Sequence, residues 1–303
     1  MSGGREVVVA PASGFCGGVA AAVKKALNVA RNRRRGNIFL EGELVHNGAV
    51  SGQLSALGMR PLQRDSVVSR EDTIIIRAHG ISPERRFYLE SFGCKIVDCT
   101  CPLVRRIART IEANKCKKII LLGDRNHAEI EGLCGYSGNI RVCENLAELA
   151  RCIDSVCVDY KNNVNVCKNQ DPDLGETDDW VIVCQSTLDV NFLDAAGVLC
   201  KKKHFPAEIF DTVCPATKAR QCGLEALKSC DAAVVAGGFH SANTRRLFEK
   251  IGAWVPRVFW VEDAAQAAEI DLAPYKKIGI AAGASTPRDV LRKIFDEISK
   301  KIA

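Results

Sequence analysis

The segment Asp211-Thr212-Val213-Cys214-Pro215-Ala216-Thr217 decides how the chain folds, because Asp98-Cys99-Thr100-Cys101-Pro102 repeats its frame earlier in the sequence. In both places a short apolar run, Glu208-Ile209-Phe210 or Lys95-Ile96-Val97, ends in Asp-x-x-Cys-Pro, and a helical pattern rich in Arg and Lys follows. Proline is tolerated at the first helical position, where its missing N–H would lack a partner in any case. A third cysteine, Cys16, follows the apolar run Val7-Val8-Val9-Ala10 through Pro11, Ser13 and Gly14. Three cysteines far apart in sequence thus share a strand-to-helix junction, where the helix dipole favours a thiolate.

Strand-like runs alternate with helical patterns along the rest of the chain, which predicts parallel sheets with crossover helices. A first helix is expected from Gly17-Gly18 through Val19, Val23, Leu27 and Ala30, ending in the basic run Arg31-Asn32-Arg33-Arg34-Arg35 and Gly36. Runs at Ile38–Leu40, Ile74–Ile76, Ile119–Leu122, Val181–Val183, Ala233–Ala236 and Ile278–Ala281 read as strands. Ser82 and Pro83 read as a helix start, and Ser285-Thr286-Pro287 as a capped start with proline just inside. The Asn-, Asp- and Lys-rich stretch from Asp159 to Asp179 has no periodicity and reads as a loop. The fold expected is α/β: three similar α/β lobes with mainly parallel sheets, related by a pseudo-threefold axis around a central site. The lobes are expected at 17–100, 101–200 and 201–303, the last completed by the N-terminal strand within 1–16.

At 303 residues, 47% hydrophobic and 26% charged, the composition is that of a globular protein with ample core. No apolar run approaches the roughly 18 residues of a membrane span, and the first residues lack the pattern of a signal peptide, so a cytoplasmic protein is expected. A net charge of +6 suits an anionic small molecule and does not argue for nucleic acid. The runs Arg31–Arg35 and Lys201-Lys202-Lys203 read as solvated helix ends. Fifteen cysteines is a high and odd count; without a secretory signal, most are expected to be reduced and packed as small hydrophobes. Cys94, Cys99 and Cys101, or Cys143, Cys152, Cys157 and Cys167, could be read as metal sets, but neither has paired C-x2-C spacing.

At the C-terminal edges of parallel strands, where such sheets bind ligands, stand Cys16, His46, His79, Cys101, His127, Gln185, Ser186, Cys214, Ser241, Asn243 and Ser285. Three convergent thiolates suit an iron-sulfur cubane with one iron left open, and zinc is the competing metal. His46, His79, Ser241, Asn243 and Ser285 suit a phosphate or diphosphate, several of them at expected helix starts. Glu129, two residues beyond His127, is placed to serve as a proton donor, or else is an exposed first-turn carboxylate.

Nine motifs, in order and spacing, resemble the LytB/IspH family: Gly14-Phe15-Cys16-Gly17-Gly18-Val19, Val45-His46-Asn47, Ala78-His79-Gly80, Thr100-Cys101-Pro102-Leu103-Val104, His127-Ala128-Glu129-Ile130-Glu131-Gly132, Gln185-Ser186-Thr187-Leu188, Cys214-Pro215-Ala216-Thr217, Ser241-Ala242-Asn243 and Ala282-Gly283-Ala284-Ser285. The resemblance covers Val7 to about Phe295. It implies one 4Fe-4S cluster held by Cys16, Cys101 and Cys214 with one open iron. It also implies reductive dehydroxylation of (E)-4-hydroxy-3-methylbut-2-enyl diphosphate to isopentenyl and dimethylallyl diphosphate, the last step of the non-mevalonate pathway. Glu129 would deliver protons while His127 and Ser186 position the substrate hydroxyl. His46, His79, Ser241, Ala242, Asn243 and Ser285 would hold the diphosphate, with Thr217 and Gln185 lining the site.

The electron donor implied is a ferredoxin or flavodoxin, since no segment is recognisable as a flavin or nicotinamide site, and a monomer or weak homodimer is expected, with neither nucleic acid nor membrane as partner. Ser186 and Ala242 depart from the family's usual Thr and Ser. Each costs at most a methyl or one hydrogen bond, about 0.5–1.5 kcal/mol, which implies weaker substrate binding rather than lost activity. Quinolinate synthase and the diphthamide-forming enzymes also take one cysteine from each of three domains, but the His-Ala-Glu loop and the phosphate set argue against them. An iron-sulfur sensor would leave Glu129 beside His127 unexplained.

Overall fold

In the computed structural model, which describes residues 5–33, 35–162 and 179–302, strands and helices alternate almost throughout. The first lobe's elements follow β1 (Glu6–Val9) and α1 (Gly17–Arg31): β2 (Ile38–Glu41), α2 (Gly48–Ala56), β3 (Met59–Pro61), β4 (Thr73–Ile76), α3 (Pro83–Glu90) and β5 (Lys95–Asp98). Next come α4 (Pro102–Ala113), β6 (Lys118–Leu122), α5 (Ala128–Cys134), β7 (Ile140–Cys143), α6 (Leu146–Asn162), β8 (Trp180–Cys184), α7 (Val190–Lys202) and β9 (Ala207–Phe210). Then α8 (Pro215–Gly223) runs into a 3-10 turn, followed by β10 (Ala232–Ala236), α9 (Ala242–Gly252), β11 (Arg257–Val261), α10 (Ala264–Glu269), β12 (Lys277–Ala282) and α11 (Arg288–Ile302).

These strands form three four-stranded sheets, ordered β3-β2-β4-β5, β7-β6-β8-β9 and β11-β10-β12-β1, with every neighbouring pair parallel. The order is the same in all three: the second strand lies outside the first, and the third and fourth follow on the other side. In the last sheet the fourth place is taken by β1, which pairs with β12 in register Glu6↔Lys277 to Val9↔Ile280. The middle sheet takes β9, at Ala207–Phe210, as its fourth strand, beyond the lobe limit expected at residue 200. The chain divides into two compact units, one of residues 1–80, 86–102 and 215–303 with two of the sheets, the other of 81–85 and 103–214 with the middle sheet. The chain passes between the units just after Cys101-Pro102 and again between Cys214 and Pro215.

The apolar runs are continuous because central parallel strands bury both faces. In the middle sheet Ile120, Leu122, Ile182 and Cys184 face Leu149, Ile153, Leu193 and Ala196. Their alternates Ile119, Leu121, Val181 and Val183 face Ile107, Ile111, Ile130 and Leu133. The sheet with β10 and β12 is covered the same way, by Leu247 and Ile251 on one side and Ile294 and Ile298 on the other. No helix among the described residues is long and apolar enough to cross a membrane.

Ser82 caps its helix as expected, its Oγ accepting from Arg85 N at 3.1 Å. The helix start expected at Ser285-Thr286-Pro287 differs: α11 begins at Arg288. The two hydroxyls do not cap it; Ser285 Oγ donates to His46 O and Thr286 Oγ1 to Ala236 O, both at 3.0 Å. Both hydroxyls are buried, where an unpaired O–H is costly, and each is satisfied by a backbone carbonyl, that of Ala236 at the end of β10 and that of His46 in the loop beyond β2. The loop expected from Asp159 is helical to Asn162, where α6 ends; its remainder, 163–178, lies outside the described residues, as do the Cys157 and Cys167 side chains.

Asp72 ties β2 to β4. Its carboxylate, 2% exposed, accepts from Asn37 N at 2.6 Å, Ser69 N at 2.6 Å and Ser69 Oγ at 2.9 Å. Burial pushes its pKa up, but these hydrogen bonds outweigh it and hold it below its ordinary value. Its stabilisation is therefore full above the unfolded value and is lost as pH falls through the lower folded one. Asp72→Asn is expected to lose about 1.5–3 kcal/mol at pH 7, with the gap to wild type narrowing in thermal melts taken below about pH 4.

Candidate functional site

The three cysteines of the repeated frame occupy one structural position in three sheets. Cys101 N donates to Ala78 O at 2.9 Å, Cys214 N to Ser186 O at 2.9 Å and Cys16 N to Ala284 O at 3.2 Å. Ala78, Ser186 and Ala284 each lie two residues beyond the strand next to the one that leads to the cysteine, namely β4, β8 and β12. The aspartate of the frame has a local reason: Asp98 Oδ1 accepts from Thr100 N at 2.9 Å and Asp211 Oδ1 from Val213 N at 3.3 Å. These Asx-turns bend the chain off the strand before the proline starts the helix. Pro102 and Pro215 are the first residues of α4 and α8, and Cys16 caps α1, its Sγ accepting from Val19 N at 3.4 Å.

All three thiols are reduced and half-buried. Within the first unit Cys16 and Cys101 converge on Gly18: a Cβ there would stand 2.5 Å from Cys101 Sγ and 3.9 Å from Cys16 Sγ. Gly18 is needed for that approach, not for turn geometry.

In the second unit a carboxylate is buried almost completely. Glu129 is 1% exposed, which excludes the solvent-facing alternative. Its Oε1 accepts from Ser186 N at 2.7 Å, and its Oε2 pairs with Ser186 Oγ at 2.7 Å. An amide only donates, so Oε1 stays an acceptor; a hydroxyl donates or accepts, so Oε2 can gain and lose a proton without giving up its contact. His127 caps α5, its Nδ1 accepting from Glu129 N at 3.1 Å, which places the proton of the neutral ring on Nε2. Gln185 is fully buried, with Oε1 accepting from Asp124 N at 3.0 Å. A Cβ on Gly123 would meet Gln185 and Ile130 within 2.8 Å, so this loop packs backbone to side chain.

The remaining polar residues gather in the first unit. His46 and His79 stack with ring centroids 4.4 Å apart, and Glu43 Oε2 lies 2.9 Å from His46 Nδ1. His46 is brought to the strand ends of the last sheet, where its carbonyl accepts from Ser285 and a Cβ on Gly238 would stand 2.6 Å from it. Ser241 caps α9, accepting from Thr244 N at 3.3 Å; Ala242 and Asn243 form the buried first turn. The Asn243 side-chain nitrogen is buried without a hydrogen-bond partner, a donor of the kind that a buried anion satisfies. Thr217, on α8, is buried.

One residue of this region had no signal in the sequence reading. Arg220, 4% exposed, donates to Gly14 O at 2.5 Å and to Ala216 O at 3.0 Å, tying the Cys16 turn to the helix that follows Cys214. Its place on the inner face of α8, three residues beyond Thr217, was the available clue.

The model of the family described as LytB protein matches residues 7–299. The 4-hydroxy-3-methylbut-2-enyl diphosphate reductase of Treponema denticola is 31% identical over 298 residues, 95% of this chain and 96% of its own. That of Dictyoglomus turgidum is 32% identical over 298 residues, with 95% and 94% covered. A solved structure of E-1-hydroxy-2-methyl-but-2-enyl-4-diphosphate reductase from Plasmodium falciparum shares the fold, with a TM-score of 0.81 at 24% identity over 97% of this chain and 87% of that one. A second, titled (E)-4-hydroxy-3-methyl-but-2-enyl diphosphate reductase, the terminal enzyme of the non-mevalonate pathway, matches with a TM-score of 0.65 at 27% identity over 98% and 99%.

Proposed function

The chain belongs to the LytB family, and on that premise we propose the reaction and the residues that perform it. The protein is an oxidoreductase acting on 4-hydroxy-3-methylbut-2-enyl diphosphate, the substrate its relatives are named for. Two electrons and two protons remove the C4 hydroxyl as water and leave isopentenyl and dimethylallyl diphosphate, closing the non-mevalonate pathway. The observation that carries this reading is the cysteine junction repeated in three sheets, with each cysteine amide on the equivalent carbonyl.

The donors fit an iron-sulfur group: three reduced, half-buried thiols at helix N-termini, two of them beside the space that Gly18 leaves. Cys16, Cys101 and Cys214 would hold one 4Fe-4S cluster, which when bound supplies electrons and, at an iron without a protein ligand, Lewis acidity toward a substrate oxygen. Glu129 Oε2 holds the proton for the departing hydroxyl, and the Ser186 hydroxyl turns from donor to acceptor as that proton comes and goes. The His127 Nε2–H orients the same hydroxyl. Stacked His46 and His79, with Ser241, Asn243, Ser285 and the first-turn amide of Ala242, hold the diphosphate against the α9 N-terminus, where unpaired amides favour anions. Gln185 and Thr217 line the site and help exclude water. Electrons come from a ferredoxin or flavodoxin, and the protein works in the cytoplasm as a monomer or weak homodimer.

The test is anaerobic reconstitution with iron-57, Mössbauer spectroscopy with and without substrate, and product analysis with a one-electron reductant. One iron whose signal moves with substrate, together with both products, is expected; a fully loaded protein that releases neither product overturns the reaction. Gly18→Ala, whose Cβ would meet Cys101 Sγ at 2.5 Å, is expected to lower iron content several-fold while melting stays within a few degrees, because the group lost is a ligand position rather than core packing.

A further inference from the structure

A second pair of thiols, in the middle lobe, takes no part in the reaction above. Cys143 ends β7, 3% exposed, within the core layer of Leu149, Ile153 and Trp180, and Cys152 packs against that layer from α6. The Cys143 thiol hydrogen-bonds the Cys152 sulfur. Arg141 Nη1 stands 4.0 Å from Cys152 Sγ. Arg141 and Cys143 alternate on β7 and so share a face, and the guanidinium is held there over the Trp180 ring, 5.7 Å from its centroid. Other charged groups stand at this corner: Glu148, which faces Cys143; Arg125, which donates to Glu148 and to Val142 O at 3.0 Å and pairs with Glu144 at 3.5 Å; Arg151, near Glu148; and Lys118, over the same Trp180 ring. Cys152, half-buried, is open to a small reagent, whereas Cys143 is closed off by the core.

We propose that Cys152 and Cys143 are a peroxide-reactive dithiol, Cys152 the attacking thiolate and Cys143 the resolving thiol. In the first step the Cys152 sulfur attacks one oxygen of a hydroperoxide; the O–O bond breaks, water or an alcohol leaves after protonation, and Cys152 becomes a sulfenic acid. In the second the Cys143 sulfur attacks the Cys152 sulfur, the S–O bond breaks, and the hydroxyl leaves as water with the Cys143 proton. The two thiols together give up two electrons, and the peroxide takes them. The donated S–H and the adjacent guanidinium hold the Cys152 thiol down to about 6, with burial opposing, while its partner is pushed far up, first by that same hydrogen bond and then by burial. The lowered value gives Cys152 a larger thiolate share at pH 6 than an ordinary thiol has, so it should alkylate faster there than a peptide cysteine.

The experiment uses the reconstituted full chain carrying Cys157→Ser, because Cys152 and Cys157 fall in one tryptic peptide. One equivalent of hydrogen peroxide is added, free thiols are blocked, and a non-reducing digest is read by mass spectrometry. A Cys143–Cys152 linked peptide is expected as the main product. Cys143→Ser, which keeps a hydrogen-bond donor to Cys152 but cannot form a disulfide, should leave Cys152 trapped by dimedone as a sulfenic acid, and Arg141→Gln, which leaves the core intact, should slow iodoacetamide alkylation of Cys152 at pH 6 several-fold. Oxidation distributed over other cysteines without the linked peptide overturns the proposal, as does alkylation of Cys152 at pH 6 no faster than a peptide thiol.

Discussion

Replacing Glu129 by glutamine is expected to cut turnover roughly 10²–10⁴-fold, the usual size of a positioned acid or base, while leaving iron content and the melting temperature nearly unchanged. Glutamine is isosteric, and both hydrogen bonds survive: its carbonyl oxygen takes the Ser186 amide, and its NH2 donates to the Ser186 hydroxyl, which can accept as well as donate. What disappears is the exchangeable proton on the second oxygen. The check is kcat and KM for the diphosphate with a chemical reductant. A drop in kcat with KM within a few-fold of wild type marks the loss of a proton donor, whereas near wild-type kcat would remove Glu129 from the mechanism.

Cys214→Ser should give the second large effect, loss of nearly all bound iron after anaerobic reconstitution and, with it, of activity. Serine keeps the approximate size of the residue and the backbone hydrogen bond that its N–H donates to Ser186 O, and the neighbouring turn is held independently by Thr212, whose Oγ1 donates to Cys184 O at 2.6 Å. The fold should therefore survive; a hydroxyl, unlike a thiol, is not deprotonated at neutral pH to serve as a soft ligand. Cys222→Ser is the control, an exposed thiol outside the repeated frame, and should keep full iron. Equal iron in both variants would refute the three-cysteine site.

The sequence made these positions readable because the determinants are local. An aspartate that turns the chain, a cysteine and a helix-starting proline lie within five residues, and their duplication is visible without knowing the sheets. The central strands were equally plain, as both faces are buried and the runs are unbroken. The strands Met59–Pro61, Ile140–Cys143 and Arg257–Val261 were missed; all three are sheet edges, partly exposed and mixed in character. Cys143 and Cys152 read from sequence only as part of a possible metal set with Cys157 and Cys167; their packing on one core layer depends on the strand Ile140–Cys143 and the helix that follows it. Contacts across long separations, Glu129 with Ser186 or Ser285 with His46, leave no periodic trace. They were approached only through family resemblance, and Ser285 accordingly read as a cap.

The pairing of β1 with β12 imposes an order of events on biosynthesis. Glu6 and Lys277 face each other across two parallel strands, and Cys16 hangs its amide on Ala284 O. The first cysteine to leave the ribosome is thus the last to find its seat. At roughly 5–20 residues per second, its partner strand emerges about 15 to 55 seconds later. Until then the Cys101 and Cys214 junctions can form on sheets already complete, while Cys16 waits on an unpaired strand. On the three-cysteine site proposed above, iron delivered before β12 is made would meet two seats of three, and completion of that site would wait for β12 to pair with β1.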